Sequence, residues 1–167
     1  MTQEAKRALE LPDAGQETRR RVGQGRGWGC AVHRVLEARG RGRTGASLSA
    51  YARAVAEEER VEDVARLLAI VDGLDAAGHW EVGVDTMVES PIVTFGPRDG
   101  QDVLLEGVID AARFVDGRWS VVDWKTDLAG HDDTTQTAAY QRQVATYAEM
   151  IRGLLGTEAE GRLEPLG

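Results

Sequence analysis

Apolar residues recur along this chain with two different periods, and the change from one to the other organises it. Leu48, Tyr51 and Val55, and further on Val64, Leu67, Leu68 and Val71, return at the three-to-four-residue spacing of a helix with one buried face. Ser47 stands where a side-chain cap would begin that stretch, as one bent helix or two. Ahead of it a short helix is predicted from Cys30 to Arg39. Trp80, Val82, Val84 and Val88 then alternate with polar residues, the pattern of a half-buried strand. Pro91 interrupts it, and Ile92 to Phe95 form a continuation or a second strand. Two further strands, Val103 to Val115 and Arg118 to Lys125, are joined by Asp116-Gly117. That dipeptide between apolar runs predicts a tight hairpin, because a type I′ turn needs positive φ at both central residues. A last helix starts near Asp133, where Asp133-Thr-Thr-Gln136 fits a capping box, and its buried stripe is Tyr140, Val144, Tyr147, Ile151 and Leu154.

The two ends read differently. Residues 1–29 are poor in apolar positions, basic and rich in glycine and arginine, and are expected to be an irregular lead-in. The glycines from Gly23 to Gly29 follow no strand and precede no Gly-Lys-Ser/Thr, so no ATP site is expected in this chain. Residues 157–167 read as a polar tail without a strand pattern, which leaves 30–156 as one folded domain. A domain that combines helices with a run of strands falls in the α/β (α+β) class.

Charge is divided unevenly. The chain carries a net charge of −8, yet residues 1–45 hold ten Lys/Arg against five Asp/Glu. A basic arm ahead of an acidic body accommodates a polyanionic partner, as does a solvated surface, so charge alone does not decide between them. The single cysteine, Cys30, excludes an internal disulfide and any Fe–S cluster or zinc site built from several thiolates. With no apolar run long enough to cross a bilayer, a cytoplasmic setting away from membranes is expected.

The chemistry is concentrated at the hairpin. With Asp116 and Gly117 as its two loop residues, strand pairing puts Asp110 opposite Asp123 on one face, their Cβ atoms about 4.5–5.5 Å apart. The pairs nearer the turn on that face, Phe114–Trp119 and Ala112–Val121, are apolar, and the next pair outward is Val108–Lys125. Two carboxylates about 5 Å apart repel by roughly 3 kcal/mol at an effective dielectric near 20. Protonation of one, an ion pair with Lys125, or a divalent cation would each relieve this.

Gly107-Val-Ile-Asp110, a hairpin, and Val121-Val-Asp123-Trp-Lys125-Thr126 together resemble the PD-(D/E)XK nuclease superfamily. Tyr140-Gln-Arg-Gln143-Val-Ala-Thr-Tyr147 is similar to the Gln-x-x-x-Tyr helix of the RecB/AddA-type nuclease domains, which end UvrD-like helicases. Gly29-Cys-Ala-Val-His33 is similar to their upstream helix carrying a histidine. Asp-x-Lys alone arises often by chance, but four elements in order are specific.

The resemblance implies a restriction-endonuclease-like core, a mixed central sheet flanked by helices, here with the last strand missing. It implies Mg²⁺ or Mn²⁺ held by Asp110, Asp123, His33 and the backbone carbonyl of Trp124, with Lys125 as the catalytic lysine and Glu89 near the metals. Gln143, Tyr147 and Tyr140 would support the site and contact DNA. The implied activity is phosphodiester hydrolysis with Mg²⁺-activated water, on DNA ends or single strands, in recombination and repair. A UvrD-type helicase motor and an AddB/RecC-like subunit are the implied partners. The residues also admit plainer roles: His33 paired with Glu37 one turn on, Glu89 as a surface carboxylate, Tyr147 as core with Gln143 bonded to it. His79 and His131 are expected to do no chemistry, and Trp28 is read as a partly buried anchor. A catalytically silent DNA-binding or scaffold domain is the rival function, favoured by the missing strand and the acidic body.

Overall fold

The computed structural model describes residues 25–80, 84–98, 100–128 and 134–166. Four helices and four strands follow in the order α1 (Arg26–Gly40), α2 (Gly45–Glu59), α3 (Val64–Ala76), β1 (Thr86–Arg98), β2 (Gln101–Val115), β3 (Arg118–Lys125), α4 (Thr134–Leu155) and β4 (Glu158–Pro165). The strands form one sheet in the order β1-β2-β3-β4, the first three antiparallel and β4 parallel to β3. A parallel pair needs a crossover connection, and α4 supplies it.

Side-chain alternation lets the sheet serve two cores. Ala111, Val122 and Trp124 face α1, α2 and α3, where Val32, Val35, Leu36, Leu67 and Val71 are buried. Ala112 and Val121 point the other way, into a second core with Val144, Tyr147 and Ile151 of α4. This mixed sheet between helical layers is the fold class expected from the sequence.

The helical stretch expected from Ser47 onward is two helices. Arg60 adopts the left-handed conformation at φ 57°, ending α2, and the Asp63 carboxylate accepts from the Arg66 amide at 2.9 Å, starting α3. Ser47 is inside α2, whose N-cap is Thr44. α1 begins at Arg26, four residues before the predicted helix start and inside the expected lead-in. Trp80 belongs to no strand. It follows α3 and packs edge-on against Trp124, and β1 begins only at Thr86. Pro91 does not end β1, which is an edge strand, where a missing amide is tolerated. At the β2–β3 turn, Asp116 and Gly117 have φ of 52° and 80°, as a type I′ turn requires. In α4 the buried stripe is as expected except for Leu154, which is 52% exposed. Val82, His131 and the cap at Asp133 lie outside the described residues.

The largest correction concerns the C-terminal residues. Those expected to be a polar tail form β4, so the last strand is present. Its inward positions are Ala159, Gly161 and Leu163, too small or too few to read as an apolar strand. They are small because α4 lies close: a Cβ on Gly161 would meet the Val144 carbonyl oxygen at 2.6 Å. A backbone obstacle cannot rotate away, so Gly161→Ala is expected to cost about 1–3 kcal/mol. Thermal melting should show a fall of several degrees; an unchanged midpoint would contradict the close packing of α4 on β4.

Candidate metal centre

Where β2 and β3 approach the end of their pairing, the ladder gives way to side chains. Regular rungs run from Val115–Arg118 to Ala111–Val122, with no bulge. In the same register the next position pairs Asp110 with Asp123, but there the Asp110 carboxylate itself accepts the Trp124 amide at 2.7 Å. On the other side of β2, Val88–Ala111 and Ser90–Ile109 are rungs, and Glu89 between them faces Asp110. Glu89 holds a left-handed backbone, φ 43°. That is an uncommon conformation for a residue with a side chain, and it coincides with the turning of this carboxylate toward the site.

His33 closes the cluster from α1. Its Nδ1 is 3.0 Å from Glu89 Oε1 and 3.7 Å from Asp110 Oδ1, while Nε2 is 3.2 Å from the Trp124 carbonyl oxygen. Its ring meets the buried Trp124 indole edge-on at 5.9 Å. Glu37, the partner that a plain helical histidine would take, is instead bonded to Arg41 at 2.7 Å. His33, Glu89 and Asp110 each present a ligand atom within 4.8 Å of the others.

Asp123 and Lys125 point to the other face of β3 from Trp124, toward α4. The Lys125 ammonium donates to Asp123 Oδ1 at 3.1 Å and is 2.9 Å from Oδ2. That second approach lacks hydrogen-bond alignment, so Oδ2 is buried beside a charge but without a directed donor. The ammonium also lies 4.5 Å from the centre of the Tyr140 ring. The two aspartates therefore meet as the hairpin predicts, but their carboxylates have different partners. Asp123 belongs to the lysine and falls outside the three-ligand cluster.

Asp127 and Gln136 were not legible as site residues. The Asp127 carboxylate accepts from the Tyr140 hydroxyl at 2.8 Å and from the Gln136 amide at 2.6 Å, fixing the ring beneath Lys125. Asp127 lies in the bend just after β3, and no local pattern marks it. Tyr147 is buried, and a Cβ on Gly107 would strike its ring at 2.4 Å, so the glycine of the Gly107-Val-Ile-Asp110 motif is the seat of this ring. Gln143 donates to the Tyr147 hydroxyl at 3.1 Å, so the plain reading of this pair holds. Trp28 is a core residue under Arg66. His79 is buried beside Arg162, remote from the cluster in its contacts.

Burial, with the negative Asp123, pushes the Asp110 pKa up to about 7, against the opposing pull of His33 and Lys125 and the Trp124 amide bond. For His33, burial opposes protonation, but the Glu89 hydrogen bond and the charges of Asp110 and Glu89 outweigh it, and the pKa is raised. Both groups thus bind protons more tightly in the folded chain than in the unfolded one. The stabilisation is complete below the ordinary aspartate range. It falls as pH rises through about 7, where Asp110 ionises, and further as His33 loses its proton. In chelator the melting temperature of the wild type is accordingly expected to fall relative to that of Asp110→Asn between pH 4 and 8, and added Mn²⁺ to stabilise the wild type at the upper end, because ligands must be deprotonated. A difference between the two that stays constant over this interval would contradict the site.

These donors suit a divalent cation. Carboxylates, an imidazole and a backbone carbonyl converge, a buried carboxylate oxygen lacks a directed donor, and burial makes the ionised Asp110 carboxyl unfavourable without a counter-charge. A mixed sheet between helical layers, with such a cluster and a lysine beside it at the end of the β2–β3 pairing, is the architecture of the restriction-endonuclease-like fold class. A model of the PD-(D/E)XK nuclease superfamily matches residues 4–165, and the chain belongs to that superfamily, whose members are metal-dependent nucleases. No curated protein matches the sequence. Among solved structures, the crystal structure of SSO0001 is similar at 16% identity, with a TM-score of 0.36, over 82% of this chain and 66% of that one. The chain thus spans just under two thirds of that protein's length. Among the described residues no helix is long and apolar enough to cross a membrane.

Proposed function

We propose that this chain is a Mg²⁺- or Mn²⁺-dependent deoxyribonuclease acting on DNA ends or single strands. In this reading it is of the RecB/AddA type, serves recombination and repair in the cytoplasm, and works beside a UvrD-type helicase motor and an AddB/RecC-like subunit. The observation that carries the nuclease assignment is the juxtaposition of His33, Glu89 and Asp110 with a lysine-bound Asp123, one position beyond the last β2–β3 rung.

His33, Glu89 and Asp110, with the Trp124 carbonyl, would hold the cation, and Asp123 would join them through Oδ2, the oxygen without a directed donor, while Oδ1 stays on Lys125. When bound it supplies Lewis acidity at the scissile phosphate and lowers the pKa of water. The remaining work belongs to the chain. With one ring nitrogen on the cation, His33 would use the other to keep a neighbouring acceptor, Glu89 or the Trp124 carbonyl, turned inward. Lys125, anchored by Asp123 and by the face of Tyr140, offers a fixed ammonium to the negative charge that grows on the phosphate. Tyr147, seated on Gly107, and Gln143 hold the strand that carries Asp110. Contact with the DNA strand in this part of the site falls to Gln143, because Tyr140 and Tyr147 are both buried. The silent-scaffold alternative loses one of its motives, since β4 completes the sheet.

Cleavage of end-labelled linear single-stranded DNA is compared with a covalently closed single-stranded circle of the same sequence, in Mg²⁺ and in EDTA. Mg²⁺-dependent shortening of the linear strand with the circle preserved is expected. Linearisation of the circle would overturn the end-directed assignment, and cleavage in EDTA would overturn the metal dependence.

A further inference from the structure

We propose that the groove at the C-terminal end of α1, lined by Arg41, Arg43, Ser47 and Tyr51, holds the phosphate backbone of the strand whose cleavage occurs at His33. This rests on the nuclease reading and extends it to the path of the substrate. His33, Glu37 and Arg41 follow one another at four-residue steps and so lie along one face of α1. Two turns of helix put Arg41 about 12 Å beyond the histidine. At the 3.4 Å that separates phosphates of one strand along a duplex axis, and at the larger spacing of an extended strand, this is roughly two to four nucleotides.

The groove is open and encloses about 470 Å³, with Arg41, Arg43, Ser47, Tyr51 and Glu37 among its walls. Its two arginines are unlike the others nearby. Arg34 is bonded to Glu58 and Glu59, and Arg39 to Asp75, with short contacts that hold them in the fold. Arg43 is exposed, has no carboxylate partner among the described residues, and lies with its guanidinium 4.7 Å above the Tyr51 ring. Stacking of this kind orients the guanidinium without consuming its donors. Arg41 is 65% exposed and its one partner is Glu37, on the same helix. Exposed pairs of this kind contribute little, so a phosphate can replace the carboxylate at small cost. In a chain of net charge −8, two available guanidiniums beside a groove whose wall includes Glu37, one turn of α1 from His33, mark where a polyanion is held.

The full chain is titrated with a fluorescent single-stranded oligonucleotide in Ca²⁺ at several salt concentrations. For the double variant Arg41→Ala/Arg43→Ala we expect at least a tenfold loss of affinity. The slope of log K against log salt should shrink by about 0.7 for each phosphate contact removed. Arg43→Lys should keep the slope, and Arg118→Ala, at the β2–β3 turn, should change neither quantity. The melting shift with Mn²⁺ alone should survive in the double variant, showing that the metal cluster is intact. Wild-type affinity and slope in that variant would overturn the groove while leaving the nuclease assignment standing. A wild-type chain that takes up Mn²⁺ but neither binds nor cleaves the oligonucleotide would overturn the DNA nuclease reading and the groove together.

Discussion

Asp110→Asn is expected to lose divalent-dependent cleavage by roughly a thousandfold or more, while melting at a higher temperature than the wild type in chelator at pH 8. The two effects have one cause. The carboxylate is buried, shares its surroundings with Asp123, and holds its proton up to about pH 7. Above that value the cation-free protein must keep a charge that the fold disfavours. Asparagine accepts the Trp124 amide bond just as the carboxylate does, and it never ionises. It therefore relieves the strain and removes a hard ligand that the cation needs. The measurements are end-labelled cleavage in Mg²⁺ and melting in EDTA across the pH range. A variant that cleaves at the wild-type rate removes Asp110 from the centre. One that is less stable than the wild type at pH 8 shows that the charge is not strained. An activity lost together with a stability gained is what separates a functional group from a structural one.

Lys125→Ala is expected to show the opposite stability change with a comparable loss of activity. Removing the ammonium takes away the donor facing the phosphate, a loss of about 10²–10³ in rate when one preorganised charge-stabilising group is deleted. It also leaves Asp123 buried, its side chain 3% exposed, with no counter-charge. Breaking one side of a buried pair costs about 3–5 kcal/mol, so the cation-free variant should melt well below the wild type. Mn²⁺ then has more to neutralise, and its stabilising shift should exceed that of the wild type, because a ligand bound only by the folded state adds its binding energy to stability. Calorimetry or fluorimetry with a Mn²⁺ titration distinguishes the cases. An unchanged cation-free midpoint would mean that Asp123 does not depend on the lysine. Full cleavage activity would remove Lys125 from catalysis.

Much of this site can be read from the residues because it is built on a tight turn. Asp116-Gly117 sets the register of β2 against β3, and register alone puts Asp110 across from Asp123. The motif around His33 could be read for the same kind of reason: a helix runs through it and places the histidine one turn from Glu37. What neither pattern contains is the choice of partners. Glu37 turns to Arg41, and His33 to Glu89, fifty-six positions along the chain, because the fold packs α1 against β1 where Glu89 adopts its left-handed backbone. Asp127 and Gln136 were silent for a related reason. Their bonds to Tyr140 join the loop after β3 to the first turn of α4, and no local rule pairs them.

β4 shows where pattern reading fails. A strand announces itself by large apolar residues at alternate positions, and this one presents Ala159, Gly161 and Leu163 because a helix backbone already fills the space. Its stability comes from the ladder with β3 and from contact with α4, neither of which leaves a mark in its own composition. By itself the amino-acid order determined the helices, the hairpin, and which ionisable side chains share a face, since these follow from periods of two and 3.6 residues and from turn geometry. Only the packed structure decided that the sheet is completed by a fourth strand, that Asp123 is held by Lys125 while Asp110 joins His33 and Glu89, and that two arginines remain available beside them. Those outcomes depend on distances between segments far apart in the chain, which burial and charge settle only when the whole molecule is assembled.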